Sequence, residues 1–320
     1  RVAIRNHDHV WTGSAADLGL PSLAGAVSCA ISDGSVAVAG SVMGDQGVLR
    51  TWIAVLTVSP NEKSPQARLI YEARVQADAQ KNGEDPHTSF VPLWMVFVPR
   101  DHLGAESDCL LVGRKSFAQP LVIRLSDGDA SIMKARWPLS GVWPYVDSLA
   151  TWNEDRTKLF IAVGQVFHDQ WSGIYLCDRI GDPPQLFADF GWAPTRTPWT
   201  HIPYFRCMIL HDGCLHLLTS STNLRPNWVA ADARSGETFQ MVTQFPESMQ
   251  DVRFFSGSRG LFASARGTLF RADLPPREQW VHFPPGPQDR VELKYDDRNA
   301  REVFVAGEFN RWDPRLWPMR

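Results

Sequence analysis

The sequence predicts an all-β fold assembled from repeated four-stranded antiparallel units, and three observations lead there. Short apolar and β-branched runs, broken by Gly, Pro, Asp and Asn, recur along all 320 residues, whereas helical periodicity is hard to find. Hairpins closed by turns such as Asp-Gly or Arg-Gly return at intervals of roughly 45 to 65 residues, and Gly suits such turns because it accepts positive φ. Each hairpin is followed by a second strand pair joined by a polar turn.

We label the strands of the repeat a, b, c and d. The a-b hairpins read VSCAISDGSVAVAG (27–40), LWMVFVPRDHLGAESDCLLVG (93–113), VDSLATWNEDRTKLFIAVG (146–164), FRCMILHDGCLHLLTS (205–220) and VRFFSGSRGLFASA (252–265). The c-d pairs follow at 51–73, 120–136, 173–190, 227–245 and 267–283. A single four-stranded sheet cannot bury both faces, so five in succession must stack, which is the signature of blades in a β-propeller. The expected blades span 27–74, 89–137, 144–190, 202–245 and 249–283. A pair of β-sandwiches would not repeat the same a-b-c-d order five times.

Composition narrows the function classes. With 32 basic and 35 acidic residues the net charge is -3, and no Lys/Arg run exists to neutralise a series of phosphates, so nucleic acid is not an expected partner. The longest apolar stretch, FVPLWMVFVP (90–99), is about half of what a bilayer crossing needs and contains prolines, so no membrane span is expected and the protein should be soluble. The first residue is Arg1 rather than Met, which leaves room for an upstream signal, propeptide or domain and leaves the compartment unread. Cys29, Cys109, Cys177, Cys207 and Cys214 each lie in an apolar, strand-like run without zinc-type spacing and are expected as buried free thiols. A tight turn over HDG would set Cys214 opposite His211 and leave Cys207 out of register for a disulfide. His7 and His9 share one side of an extended segment but lack a third ligand; no metal and no cofactor is expected.

The tail repeats the pattern. VELKYDDRNAREVFVAG (291–307) runs parallel to SLATWNEDRTKLFIAVG (148–164): an alternating strand, an acidic and Arg-containing turn, then a short apolar strand closing on Gly. It is expected to be the a-b hairpin of a sixth blade over 291–320, with RLWPMR as strand c and RVAIRN (1–6) as strand d. The chain termini would thus close a single propeller domain over 1–320 and cover otherwise exposed strand edges.

VFVAGEFNRWDP, followed by PMR, is also similar to the second-strand region of the glycogen-binding modules of AMP-activated kinase β subunits and of branching and debranching enzymes. That resemblance implies that Trp312 stacks on a glucan, and it divides the chain into a propeller over 1–285 and a truncated carbohydrate-binding module over 290–320. It covers about 30 residues where such a module needs on the order of 80 to 100, and two or three strands cannot bury a sandwich core.

The two sets of connections differ in kind. The a-b and c-d turns hold no aromatic residue, whereas the d-to-a and b-to-c connections carry Trp143, Tyr145, Trp171, Trp192, Trp199, Tyr204 and Trp228, with His168 and His201 among them. The long segment 76–88, with His87, joins this face. Flat apolar rings beside directional polar groups suit a sugar or an extended peptide, so this face is the expected ligand surface. Trp52, Trp94, Trp152 and Trp280 fall within strands and are expected in the core.

Near the start of strand a lie Asp147, Asp251, Arg206 and Arg253. Two carboxylates across a channel can serve as acid and base in glycoside chemistry or hold a cation, while Asp-Arg pairs can simply line a water-filled tunnel. No Gly-x-Ser-x-Gly, HExxH, phosphate-cradling loop or repeated sialidase box occurs. The expectation is therefore a non-catalytic propeller that binds a carbohydrate or peptide through the aromatic face. One alternative is a protein-interaction scaffold; another is a glycoside hydrolase or polysaccharide lyase using Asp147, Asp251, His201 and Arg206.

Overall fold

The computed structural model describes residues 2–6, 9–21, 26–32, 34–44, 47–58, 65–76, 90–114, 117–133, 146–165, 172–189, 204–220, 226–240, 253–257, 260–265, 268–272, 274 and 276–282. Strands β1 (Val2–Asn6) and β2 (His9–Gly13) pair as an antiparallel hairpin, Val2 opposite Gly13 and Asn6 opposite His9. Blade one contains β3 (Val27–Ser32), β4 (Ser35–Met43), β5 (Val48–Thr57) and β6 (Gln66–Gln76). Blade two follows as β7 (Pro92–Val98), β8 (Cys109–Arg114), β9 (Phe117–Arg124) and β10 (Ala130–Ile132). Blade three is β11 (Val146–Trp152), β12 (Leu159–Gln165), β13 (Ser172–Cys177) and β14 (Gln185–Asp189).

In blade four, β15 (Tyr204–His211), β16 (Cys214–Ser220), β17 (Pro226–Asp232) and β18 (Thr238–Gln240) run in the same order. Blade five has β19 (Arg253–Gly257), β20 (Gly260–Ala265) and β21 (Thr268–Arg271). Among the described residues the fold is a β-propeller with five blades, and the hairpin periods read from the sequence coincide with them.

Two strands choose partners the local pattern does not indicate. The expected strand d of blade five, β22 (Val281–His282), pairs with β18 and extends blade four to five strands, Phe239 lying opposite His282. A 310 turn at Arg277–Gln279 precedes β22, and the Trp280 ring meets Phe239 of blade four edge-on. The N-terminal strand expected to close a sixth blade has β2 as its partner among the described residues, because a two-residue turn makes that pairing local. Residues 291–320, where both the sixth-blade hairpin and the carbohydrate-module resemblance fall, lie outside the described residues.

Two compact units are present, Arg1–Val163 with Tyr175–Gln185, and Gly164–Ile174 with Leu186–Arg320. In the first, blades one and two bury a shared layer in which Ala37, Ile53 and Tyr71 meet Met95, Leu110 and Leu121. Thr51 anchors this layer: its buried hydroxyl donates to the Phe90 carbonyl and accepts the Phe90 N–H at 2.7 Å. Trp94 reaches blade three, its Nε1 donating to Ser148 Oγ at 2.8 Å. The far face of blade one is covered by the segment after β2, where Leu18 and Leu20 pack on Val38, Trp52 and Leu56. Asp17 Oδ2 accepts the Ser14 N–H and hydroxyl at 2.7 and 2.8 Å and shapes that segment. In the second unit, Leu218, Trp228 and Ala230 of blade four pack on Phe254, Leu261 and Ala263 of blade five.

One glycine contact recurs between blades. Gly128 and Gly236, each in a c-d turn at φ 76° and 74°, lie so close to the strand d of the preceding blade that an added Cβ would stand 1.9 Å from Ile70 O and 2.1 Å from Phe187 O. Positive φ and this backbone approach both require the missing side chain. All five cysteines are free, with Cys29 half-buried and the others buried. Cys214 pairs with His211 and Cys207 with Leu218, the register expected of the HDG turn.

Candidate functional site

Charged residues stand near the start of strand a in three successive blades. Asp147 is the second residue of β11, Arg206 the third of β15 and Arg253 the first of β19. The β15–β16 register shifts between Phe205 and Cys207, so Arg206 is the bulged residue. A bulge leaves one residue unpaired in the ladder, and bulges concentrate beside active sites. Tyr204 opens the same strand, opposite Ser220. Asp251, His201, Trp143, Tyr145, His168, Trp171, Trp192, Trp199 and Trp312 lie outside the described residues, as do His7 and His87.

Trp228 departs from its expected place. It lies within β17 rather than on a loop and is buried against Phe254, with ring centroids 5.0 Å apart. Its indole Nε1 donates to His216 Nδ1 at 3.2 Å. Trp52 and Trp94 are core residues as expected, whereas Trp152, the last residue of β11, and Trp280, between the 310 turn and β22, are only half-buried.

A polar cluster that sequence reasoning missed occupies the layer between blades four and five. Antiparallel pairing sets His211, Cys214 and Asp232 in one row across β15, β16 and β17. Two residues along the same face of β16 comes His216, fully buried between the rings of Trp228 and Trp280. From the loop after β21, Arg277 closes the row: its Nη2 lies 2.6 Å from Cys214 Sγ and 3.3 Å from Asp232 Oδ2, and its guanidinium lies over the Trp280 ring at 5.5 Å. His211 Nδ1 contacts Ser256 Oγ of blade five at 2.8 Å.

Burial and neighbouring charges set the protonation preferences within this cluster. Burial raises the Cys214 thiol pKa, with Arg277 only partly offsetting it, so the nucleophilic thiolate is disfavoured. Burial lowers His216 to about 4, the neighbouring His211 and Arg277 adding to this against an opposing His211 backbone hydrogen bond. Its imidazole is thus neutral near pH 7 and accepts from Trp228. Burial works against the Asp232 carboxylate, yet the Ser235 and Arg234 N–H groups, the Ser235 hydroxyl and Arg277 hold its pKa below the usual value. The sequence signal was the alternation in CLHLLTS, which places Cys214, His216 and Leu218 on one buried face; Arg277 carried none, because its partners are on another blade.

Other buried ionisable groups are structural. Burial pushes Cys29 and Cys177 up to about 12 and Cys109 to about 11, and lowers Arg114 to about 10. Arg114 donates through Nε and Nη2 to the Gln119 carbonyl at 3.2 and 2.9 Å. Among the described residues no group of three or more His, Cys, Asp or Glu side chains is arranged to hold a metal ion. Likewise, no described helix is long and apolar enough to cross a membrane.

No family model and no curated protein matches the sequence. Among solved structures, the chain is similar to a periplasmic gluconolactonase from Pseudomonas aeruginosa at 13% identity and a TM-score of 0.47, over 77% of this chain and 66% of that one. It is similar to a structure from Bacteroides uniformis described as a 6-phosphogluconolactonase, at 12% identity and 0.46, over 80% and 69%. An endo-arabinase from Bacteroides thetaiotaomicron aligns at 12% and 0.39, over 74% and 94%. The chain thus spans about two thirds of the length of the first two. These structures are named as enzymes, and with them the expectation of a non-catalytic ligand binder is corrected and set aside.

Proposed function

We propose that this chain is a propeller hydrolase acting on a sugar or sugar-derived substrate, with Asp147, Asp251, Arg206 and His201 as its reacting and charge-stabilising groups. The observation that carries the reading is the recurrence of charge at the leading end of strand a: Asp147, Arg206 and Arg253 hold comparable positions in blades three, four and five, and Arg206 is on a bulge. In hydrolysis of an acetal or ester, one carboxylate activates water or protonates the leaving oxygen, while a guanidinium steadies the negative charge that develops. The aromatic-rich connections support the substrate assignment. Residues 141–145 lead directly into β11 and residues 191–203 into β15, so Trp143, Tyr145, Trp192, Trp199 and Tyr204 adjoin the same strand ends in sequence. With His168 and Trp171 they supply flat faces for a sugar ring. Residues 291–320 belong in this proposal to a sixth blade of the same domain.

The test is a hydrolysis panel on the intact chain: δ-gluconolactone, 6-phosphogluconolactone, linear arabinan and aryl glycosides, followed by pH-stat and reducing-sugar release. Turnover of one class is expected, with Asp147→Asn and Arg206→Met each lowering kcat/KM about 100-fold or more while leaving the unfolding midpoint within about 0.5 kcal/mol of the parent. Full activity in both variants, or no turnover across the panel, would refute the assignment.

A further inference from the structure

We propose that residues 276–282 form a releasable strap on blade four, and that lifting it turns Cys214 from a covered thiol into one open to small thiol-reactive electrophiles. None of the strap residues belongs to the groups assigned to hydrolysis, so the device is independent of that reading.

Strand allocation is the first argument. Blades one, two and three hold four strands each, whereas blade four holds five and blade five three, because β22 sits on β18. Its ladder there is two residues long, Phe239 opposite His282 and Gln240 opposite Val281. By contrast, β16 and β17 pair continuously from Cys214 and Asp232 to Ser220 and Pro226. So short an outer strand adds little pairing of its own and opens locally at far lower cost than the sheet that carries it.

The second argument is how the strap is fastened. Pro276, Arg277, Glu278 and Gln279 are exposed, and two side chains tie the segment down. Arg277 Nη2 lies 3.3 Å from Asp232 Oδ2, with the Arg277 side chain 56% exposed. Its guanidinium lies over the Trp280 ring, which meets Phe239 and His216 edge-on with centroids 5.4 and 6.1 Å apart. An ion pair and a cation-ring contact so open to water are weak, so solvent competes with the fastening.

What lies beneath supplies the third argument. Cys214 opens β16 two residues after the exposed Asp212 of the turn, at the margin of the sheet, yet it is only 1% exposed. The strap reaches its sulfur directly, Arg277 Nη2 standing 2.6 Å from Sγ. Burial is the largest influence on this thiol and raises its pKa, while Arg277 opposes it. Lifting the strap relieves both and leaves a thiol of more ordinary reactivity.

Alkylation of the intact chain by iodoacetamide, followed site by site through peptide mass spectrometry, tests the strap. A C–S bond forms, iodide leaves and the thiol proton passes to solvent. In the parent, Cys214 should react about 10-fold or more slower than in the urea-unfolded chain. Arg277→Ala should speed it about 10-fold or more, while Cys207 of the same blade, also buried, keeps its parental rate. A variant rate equal to the parent's, or a parent rate equal to that of the unfolded chain, would overturn the proposal. Should Cys207 speed up together with Cys214, the whole sheet has loosened and a locked strap decides instead. Gln240→Cys combined with Val281→Cys places two thiols opposite one another in the β18–β22 register. Once oxidised to a disulfide, this variant should alkylate at Cys214 about 10-fold slower than the same variant kept reduced. Equal rates in the two forms would overturn the proposal.

Discussion

Lowering the pH from 7 to 4 should destabilise the protein through His216, and replacing that residue should abolish the effect. In the unfolded chain the imidazole takes up a proton near pH 6.5, whereas burial among Trp228, Trp280 and His211 lowers its folded value to about 4. Between those values the unfolded state holds more protons, so stability falls as pH falls through this window. From these two pKa values the penalty is about 2 kcal/mol at pH 5 and about 3 kcal/mol at pH 4. The comparison is with His216→Leu, which cannot titrate. At pH 7 the variant should be less stable by about 1–3 kcal/mol, since it removes the acceptor used by Trp228 Nε1. That deficit should shrink, and vanish or invert, by pH 4. Urea unfolding followed by tryptophan fluorescence at pH 7, 6, 5 and 4 measures it. A wild-type minus variant difference that stays flat across the series would refute the claim that His216 is held neutral by burial.

The recurrent turn glycine gives a paired test: Gly128→Ala should cost about 2–4 kcal/mol in chemical denaturation, from positive φ plus the Ile70 carbonyl. Gly19→Ala, at φ 65° with nothing within 4 Å, should cost only about 1 kcal/mol, and equal costs would deny the contact any role. Thr51→Val removes both hydrogen bonds to Phe90 from a dry layer and should lower stability by about 1–3 kcal/mol, read from the urea midpoint. Arg50 first, and Arg74 after it, hold the Glu72 carboxyl pKa below its ordinary value, with burial opposing. Its stabilisation is present above the ordinary carboxylate pKa and lost as pH falls through the lower folded value, so Glu72→Gln should cost under about 1 kcal/mol at pH 7 and nothing in strong acid.

Strand positions, hairpins and the fivefold repeat were legible in the sequence because their causes are local: alternation of period two sets a strand's faces, and Gly or Asp at a turn sets its register. The HDG turn already paired Cys214 with His211 before any packing was known. The tertiary structure alone decided which edge receives a strand and which polar groups meet. β22 pairs with β18 of blade four, where the Trp280 ring meets Phe239, and not with its neighbour in sequence, β21. Trp228 entered the core because a buried, neutral His216 was there to accept its N–H. Arg277 found Cys214 from 63 residues away. Such choices depend on competition among surfaces distant in the chain, and no window of sequence contains both competitors.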